Sequence, residues 1–158
     1  FHSNFGDEQR TDDSPSWFNY SEILLIKDYL IQLNYFGVKA DDIGIITPYR
    51  KQFQMIKRQI KKDHLLDCKL GTVEEFQGDE RKVIIVSIVS IVSIVRSIRR
   101  KRKLNLEFIF NPKRFNVTLS RAKTLLIVIG DKKMLEKDEY WFKFIQYCEV
   151  NGSVEGIF

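Results

Sequence analysis

Apolar positions recur at helical spacing in four stretches of this chain, and other runs between them are apolar without a break. Ile23, Ile26, Leu30 and Leu33 predict a first helix, opened by a capping box of Asn19 and Glu22 and closed at Gly37. Phe53, Ile56 and Ile60 predict a second, over Gln52 to Ile60. Phe115, Leu119 and Ala122 form one face of a short third, and Trp141, Phe144, Ile145 and Cys148 the stripe of a last helix ending before Gly152. Strands are predicted at Ile43 to Thr47, stopped by Pro48, at Cys68 to Val73, from Lys82 onward, and at Leu125 to Ile129, closed by Gly130. A tight bend is expected at Phe76, Gln77 and Gly78. The first 18 residues read as loop apart from a short strand at Phe1 to Phe5, and a basic loop runs to about Phe110.

Strands that are apolar throughout suit a parallel sheet covered on both faces, and helices fall between them, so the expected class is α/β. In such sheets ligands gather at the carboxyl ends of the strands. That directs attention to the segments after Thr47, Val73 and Ile94 and to the helix opening near Asn111. The segment Val83 to Val95 fits neither period, because Ser87, Ser90 and Ser93 recur at every third residue. As one strand it would run roughly 43 Å at about 3.3 Å per residue, so only its first half is expected in the sheet.

With 158 residues, 44% of them apolar, the chain can bury one core as a single domain. The formal net charge is +5, with basic clusters at Lys57, Arg58, Lys61 and Lys62 and from Arg96 to Lys103. This permits a phosphate-bearing partner without requiring one, since a solvated face has the same composition. Cys68 and Cys148 are too few for a disulfide framework and form no CxxC pair, which fits a reducing, cytosolic setting. The longest apolar run is too short to span a bilayer as a helix, so no membrane partner is expected. A chain that opens on Phe inside a loop-like segment is expected to be a piece of something larger.

Three segments carry candidate chemistry. Thr47-Pro48-Tyr49-Arg50-Lys51-Gln52 follows a buried strand and opens a helix. Thr47 as cap, Pro48 at the first helical position and the basic pair would make an anion site, or simply an ordinary capped helix. Thr72 to Glu80, reading TVEEFQGDE, places a hydroxyl, an amide and a glycine at a strand end, where backbone can approach a phosphate and Glu80 can accept from ribose hydroxyls. Glu74 and Glu75 read as solvent-facing. In Arg114 to Lys123, reading RFNVTLSRAK, helical spacing puts Arg114, Thr118 and Arg121 on one face. A guanidinium held there could stabilise a transferring phosphoryl group, although structural arginines on such helices are far commoner. No GxxxxGK phosphate loop followed by Ser or Thr occurs, so the chain is not expected to hydrolyse a nucleotide unaided. His2 and His64 lack partners at metal spacing, and no metal site is expected.

The segments ITPYRKQ from Ile46, GTVEEFQGDERKVIIVS from Gly71 and NPKRFNVTLSRAK from Asn111, in that order, resemble the second RecA-like domain of superfamily 1B helicases. The family includes the nonsense-mediated decay helicase, senataxin-like proteins and the Armitage/Mov-ten group. The flanking Ser14 to Asn19 and Trp141 to Gly152 look most like the last of these, so the resemblance covers nearly the whole chain. It implies a RecA-like, P-loop NTPase-type sheet without its own Walker A loop. Arg121 matches the catalytic arginine that reaches the γ-phosphate, and Glu80, Gln77 and Gly78 match the loop near the ribose. Thr47, Pro48, Tyr49, Arg50, Thr72 and Val73 match the strand-binding groove, with Thr118 beside it, and Arg114 is a weaker match. The IVS triplets look like an insertion of about two units ahead of Val95-Arg96-Ser97.

The function so implied is that of the C-terminal motor domain of an ATP-dependent, 5′ to 3′ RNA helicase in RNA silencing or mRNA regulation. ATP with Mg2+ would be held mainly by a first RecA-like domain of the same polypeptide. Single-stranded RNA and silencing-pathway proteins would be partners, in the cytoplasm or its ribonucleoprotein granules. A stand-alone nucleic-acid-binding module, a DNA helicase domain and a scaffold with a decayed motor are the rival readings.

Overall fold

A computed structural model describes residues 1–4, 8–9, 17–89 and 110–156. In chain order the elements are β1 (His2–Ser3), β2 (Glu8–Gln9), β3 (Phe18–Asn19), α1 (Tyr20–Tyr35), β4 (Ile43–Ile46), α2 (Arg50–Lys62), β5 (Lys69–Gly71), β6 (Arg81–Ser87), α3 (Pro112–Leu119), β7 (Ala122–Gly130), α4 (Lys132–Leu135), α5 (Glu139–Val150) and β8 (Glu155–Gly156). Six strands make one sheet in the order β5-β4-β6-β7-β1-β8, and every pairing in it is parallel. Strands β2 and β3 form a separate antiparallel pair. This is the α/β, RecA-like arrangement that the sequence predicts.

Alternate residues of the central strands serve opposite faces. Ile43, Ile45, Val83, Ile85, Ile127 and Ile129 pack with Ile23, Ile26 and Leu30 of α1 and Ile56 and Ile60 of α2. Ile46, Ile84, Val86 and Val128 pack with Leu135 of α4 and Trp141 and Ile145 of α5, with Phe115 of α3 against them. Both faces are therefore covered, which is why the strands carry no polar alternation at their centres.

Helix α1 begins as predicted, with Asn19 Oδ1 accepting from Glu22 N at 3.2 Å. It closes where Val38 N reaches Leu33 O and Gly37 takes φ +76°, a left-handed conformation that costs glycine little. The return arm of the expected capping box is not made. Asn19 N donates to Gln52 Oε1 at 3.0 Å, because the Glu22 carboxylate is buried and turned toward β6. Helix α2 also departs from expectation. Tyr49 is its N-cap, without a side-chain bond, and Arg50 its first residue, so Thr47 is no cap and Pro48 not the first helical position. Thr47 N instead bonds Gly71 O at 3.1 Å and carries the β4–β5 ladder one residue further.

Strand β7 starts at Ala122, earlier than Leu125, because its exposed first turn pairs with β6 through Arg81 and Ala122. Helix α3 ends at Leu119, so Arg121 and Ala122 lie beyond it rather than on the predicted helical face. Strand β6 ends at Ser87, consistent with only the first half of the Val83 to Val95 run lying in the sheet. The expected end of the first strand at Phe5, the loop over Ser14 and Ser16, the triplets at Ser90 and Ser93, the Val95-Arg96-Ser97 turn and the basic run Arg99 to Lys103 lie outside the described residues.

Cys68 is 7% exposed, and burial pushes its thiol up to about 11. An exposed thiol ionises near 8.5, so at pH 8 the folded protein holds Cys68 almost wholly as the unreactive thiol. Iodoacetamide labelling at pH 8 is expected to spare Cys68 in the native protein and to modify it once urea is added. The raised value also means that this group's contribution to stability is complete below its unfolded pKa and is lost as pH rises toward 11.

Candidate nucleotide edge and strand-binding groove

The segment that joins β5 to β6 crosses β4 on the α3 side of the sheet with no α-helix of its own. A 3-10 turn at Glu74–Phe76 carries it, and Phe76 is fully buried. Gly44 in β4 makes the crossing possible, since a Cβ there would lie 2.5 Å from Phe76 Cε1. Thr72 and Glu75 close the turn reciprocally, as a capping box does: Thr72 N donates to Glu75 Oε2 at 2.6 Å and Glu75 N to Thr72 Oγ1 at 3.4 Å. The Thr72 amide, a candidate phosphate donor by sequence, is thus already engaged. Lys69 fastens the far side, donating to Glu75 O at 2.9 Å and to Asp79 Oδ2 at 2.6 Å. The Lys69 ammonium, followed by Arg81, holds the Asp79 carboxyl below its ordinary range.

This crossing and α3 each run from one end of the sheet to the other, and the candidate residues fall at their two ends. At the amino ends of β6 and β7, Arg81 N bonds Arg121 O at 3.1 Å, which sets Glu80 and Arg121 side by side on neighbouring strands. Glu80 is exposed, with Lys123 Nζ 3.6 Å from its carboxylate. Gln77 and Gly78 lie exposed on the loop leading to it, and φ +79° at Gly78 explains the glycine. Arg121 is half-buried. Its Nε donates to Val117 O at 3.1 Å and its Nη2 to Ser120 Oγ at 2.9 Å, so the guanidinium rests on the end of the preceding helix α3. Sequence reasoning expected nucleotide residues at carboxyl ends, and these lie at amino ends.

At the carboxyl ends, Pro48, Val73 and Thr118 share a small slot of about 30 Å³ with Ile88, Arg114 and Trp141. Room for about one water molecule means that a polymer would lie across this slot rather than within it. Arg114 at its rim pairs with Glu74 at 2.8 Å, tying α3 to the 3-10 turn. Glu74 is therefore exposed, as expected, but not idle. Arg50 is exposed and Thr72 half-buried at this end, whereas Tyr49 is buried. Thr47 is buried completely beneath them, and its hydroxyl has no hydrogen-bond partner among the described residues. It can support the groove but has no surface to offer a ligand.

Two contributors escaped sequence reasoning. Gln52 and Glu22 are fully buried polar residues, and Glu22 occupies the core-facing stripe of α1 beside Ile23 and Ile26. A charged residue in the apolar phase of a helix was the available signal.

Residues 1–133 match the AAA domain family. The chain belongs to that family. Within it, the chain is a superfamily 1 helicase domain close to the Mov-ten and Armitage group. It is 44% identical over 171 residues to mov-10-B.2 of Danio rerio, covering 99% of this chain and 17% of that protein. To the RNA helicase Mov10l1 of Homo sapiens it is 41% identical over 159 residues, covering 99% of this chain and 13% of that one. To the DNA polymerase alpha-associated DNA helicase A of Saccharomyces cerevisiae it is 32% identical over 157 residues, covering 94% and 22%. The chain thus spans less than a quarter of the length of these relatives. No helix among the described residues is long and apolar enough to cross a membrane.

Proposed function

We propose that this chain, as one motor domain, works as the second RecA-like lobe of an ATP-dependent 5′ to 3′ RNA helicase serving RNA silencing or mRNA regulation in the cytoplasm. The observation that carries the reading is the distribution of its candidate residues. Glu80 and Arg121 have neighbouring backbones at one end of the sheet, Pro48, Val73 and Arg114 lie at the other, and α3, with Thr118 in its last turn, and the Thr72–Glu80 crossing each connect the two ends. A shift at the nucleotide edge then reaches the groove through two rigid segments.

The residues at the amino edge suit one side of a nucleotide and no more. Glu80 offers an exposed carboxylate for ribose hydroxyls, and Arg121 a guanidinium for phosphate, but nothing there cradles a triphosphate. ATP with Mg2+, held mainly by a first RecA-like domain, supplies the phosphoryl chemistry when bound. Arg121 turns toward that phosphate by exchanging two hydrogen bonds to neutral acceptors for stronger ones to an anion. Single-stranded RNA crosses the slot, with the exposed Arg50 available to its phosphates.

The full-length protein is expected to hydrolyse ATP in response to RNA and to open duplexes bearing a 5′ overhang, whereas the isolated 158-residue chain hydrolyses none. Turnover by the isolated chain would refute this division of labour. RNA binding by it alone at micromolar affinity or tighter, with no motor activity in the full-length protein, would favour a binding module. Because one relative carries the name of a DNA helicase, matched RNA and DNA strands competing for the full-length protein decide the substrate.

A further inference from the structure

Beneath the groove lies a polar cluster that none of these roles uses. Asn19, Glu22, Gln52 and Ser87 are all fully buried. Glu22 Oε2 accepts from Ser87 Oγ at 2.6 Å and from Val89 N at 3.0 Å. Gln52 Nε2 donates to the same Ser87 Oγ at 2.8 Å, and Gln52 Oε1 takes Asn19 N at 3.0 Å. Further out, Ser21 Oγ donates to Asn19 Oδ1 at 2.6 Å and accepts from Asn4 Nδ2 at 2.8 Å. Ser87, the first of the three regularly spaced serines, thereby joins two helices to the carboxyl end of β6.

A carboxylate is a poor choice for stability alone. Burying it is costly, and a leucine on the same stripe as Ile23, Ile26 and Leu30 would fill the core without that cost. The cluster instead ends on the two arms of the groove. Val89 directly follows Ile88, which lines the slot, and Gln52 sits in the first turn of α2, close behind Pro48, Tyr49 and Arg50. A carboxyl oxygen accepting from both the backbone and Ser87 fixes the residues at the end of β6, and Ser87 in turn fixes Gln52.

We propose that Glu22 is a positioning residue for strand binding, holding the Ile88–Val89 end of β6 and the Pro48–Arg50 opening of α2 in one register through Ser87 and Gln52. This rests on the reading of the carboxyl-end slot as the RNA groove. The test uses full-length protein carrying Glu22→Gln or Ser87→Ala, with ATP hydrolysis titrated against RNA. Glu22→Gln replaces one carboxyl oxygen by an amide nitrogen at nearly constant volume, and Ser87→Ala removes one hydroxyl while leaving the Val89 bond. The RNA concentration for half-maximal turnover is expected to rise about tenfold or more in the first and less in the second, with turnover at saturating RNA within about twofold of wild type.

A merely structural role would lower thermal stability and leave the RNA response where it was, which overturns the proposal. So would a fall in saturated turnover with an unaltered RNA response. If Glu22→Gln does not fold, Ser87→Ala decides by the same criterion. Arg121→Ala assayed alongside separates the levels of failure. Retained turnover there takes the arginine out of the mechanism, whereas absence of RNA-stimulated turnover in the unaltered full-length protein removes the motor reading and this inference with it. Lost turnover there, with Glu22→Gln and Ser87→Ala responding to RNA as wild type does, removes the positioning role alone.

Discussion

Arg121→Ala in the full-length protein is expected to lower RNA-stimulated ATP hydrolysis by about 10³- to 10⁵-fold while leaving RNA affinity within a few-fold of wild type. The expectation follows from position. Arg121 ends the turn between α3 and β7, its carbonyl bonded to Arg81 N at 3.1 Å, and its backbone is thus anchored to the strand that Glu80 precedes. Only the side chain has to move, and it rests on Val117 O and Ser120 Oγ, neutral acceptors that bind it weakly enough to be exchanged. Pro48 and Val73 lie at the far end of the sheet, which is why removing the guanidinium should spare RNA binding. Arg121→Lys is expected to fail nearly as badly, because an ammonium cannot present paired donors to a phosphate. Steady-state hydrolysis with saturating RNA, paired with fluorescence anisotropy on labelled RNA, measures both halves. Near-normal turnover in Arg121→Ala would take the arginine out of the mechanism.

How much of this was legible in the sequence depended on which interactions set each feature. Buried strands and core-facing helix stripes follow from local periodicity, so β4, β6, α1, α2 and α5 were foreseen to within a few residues. Helix ends decided by tertiary partners were not. Tyr49 rather than Thr47 begins α2 because Thr47 N is taken by the Gly71 carbonyl of β5, a pairing distant in sequence. Helical spacing grouped Arg114, Thr118 and Arg121 on one face, but the chain leaves the helix at Ser120 to join β6, so Arg121 reaches its place by strand pairing. Glu22 looked like half of a capping box, since nothing local announces Ser87 and Val89 as partners. The candidate site residues rest on motif order, and their distribution over the sheet follows only from strand pairing and packing.

Phe76→Ala is expected to destabilise the 158-residue chain by about 3–5 kcal/mol, a large share of the roughly 5–15 kcal/mol by which domains are stable. Phe76 is the only apolar side chain of the Thr72–Glu80 crossing that is wholly enclosed, and it fills the face of β4 that Gly44 leaves bare. No neighbouring main chain can collapse into the space, because β4 is held on both sides by β5 and β6. The reciprocal change should also hurt. In Gly44→Ala the new methyl would meet Phe76 Cε1 at 2.5 Å and Ile84 Cδ1 at 2.7 Å, an overpacking that costs about 1–3 kcal/mol. The two substitutions address one contact, so they should not add: in Gly44→Ala with Phe76→Ala the missing ring removes the clash, and the double variant should be more stable than the sum of the singles predicts. Urea unfolding followed by the fluorescence of buried Trp141 gives all three values, with the midpoint moving and the slope unchanged. Strict additivity would mean that the ring and the glycine do not meet. The crossing would then rely on Phe76 burial elsewhere and on exposed ion pairs such as Lys69 with Asp79 and Arg114 with Glu74, which solvent screens.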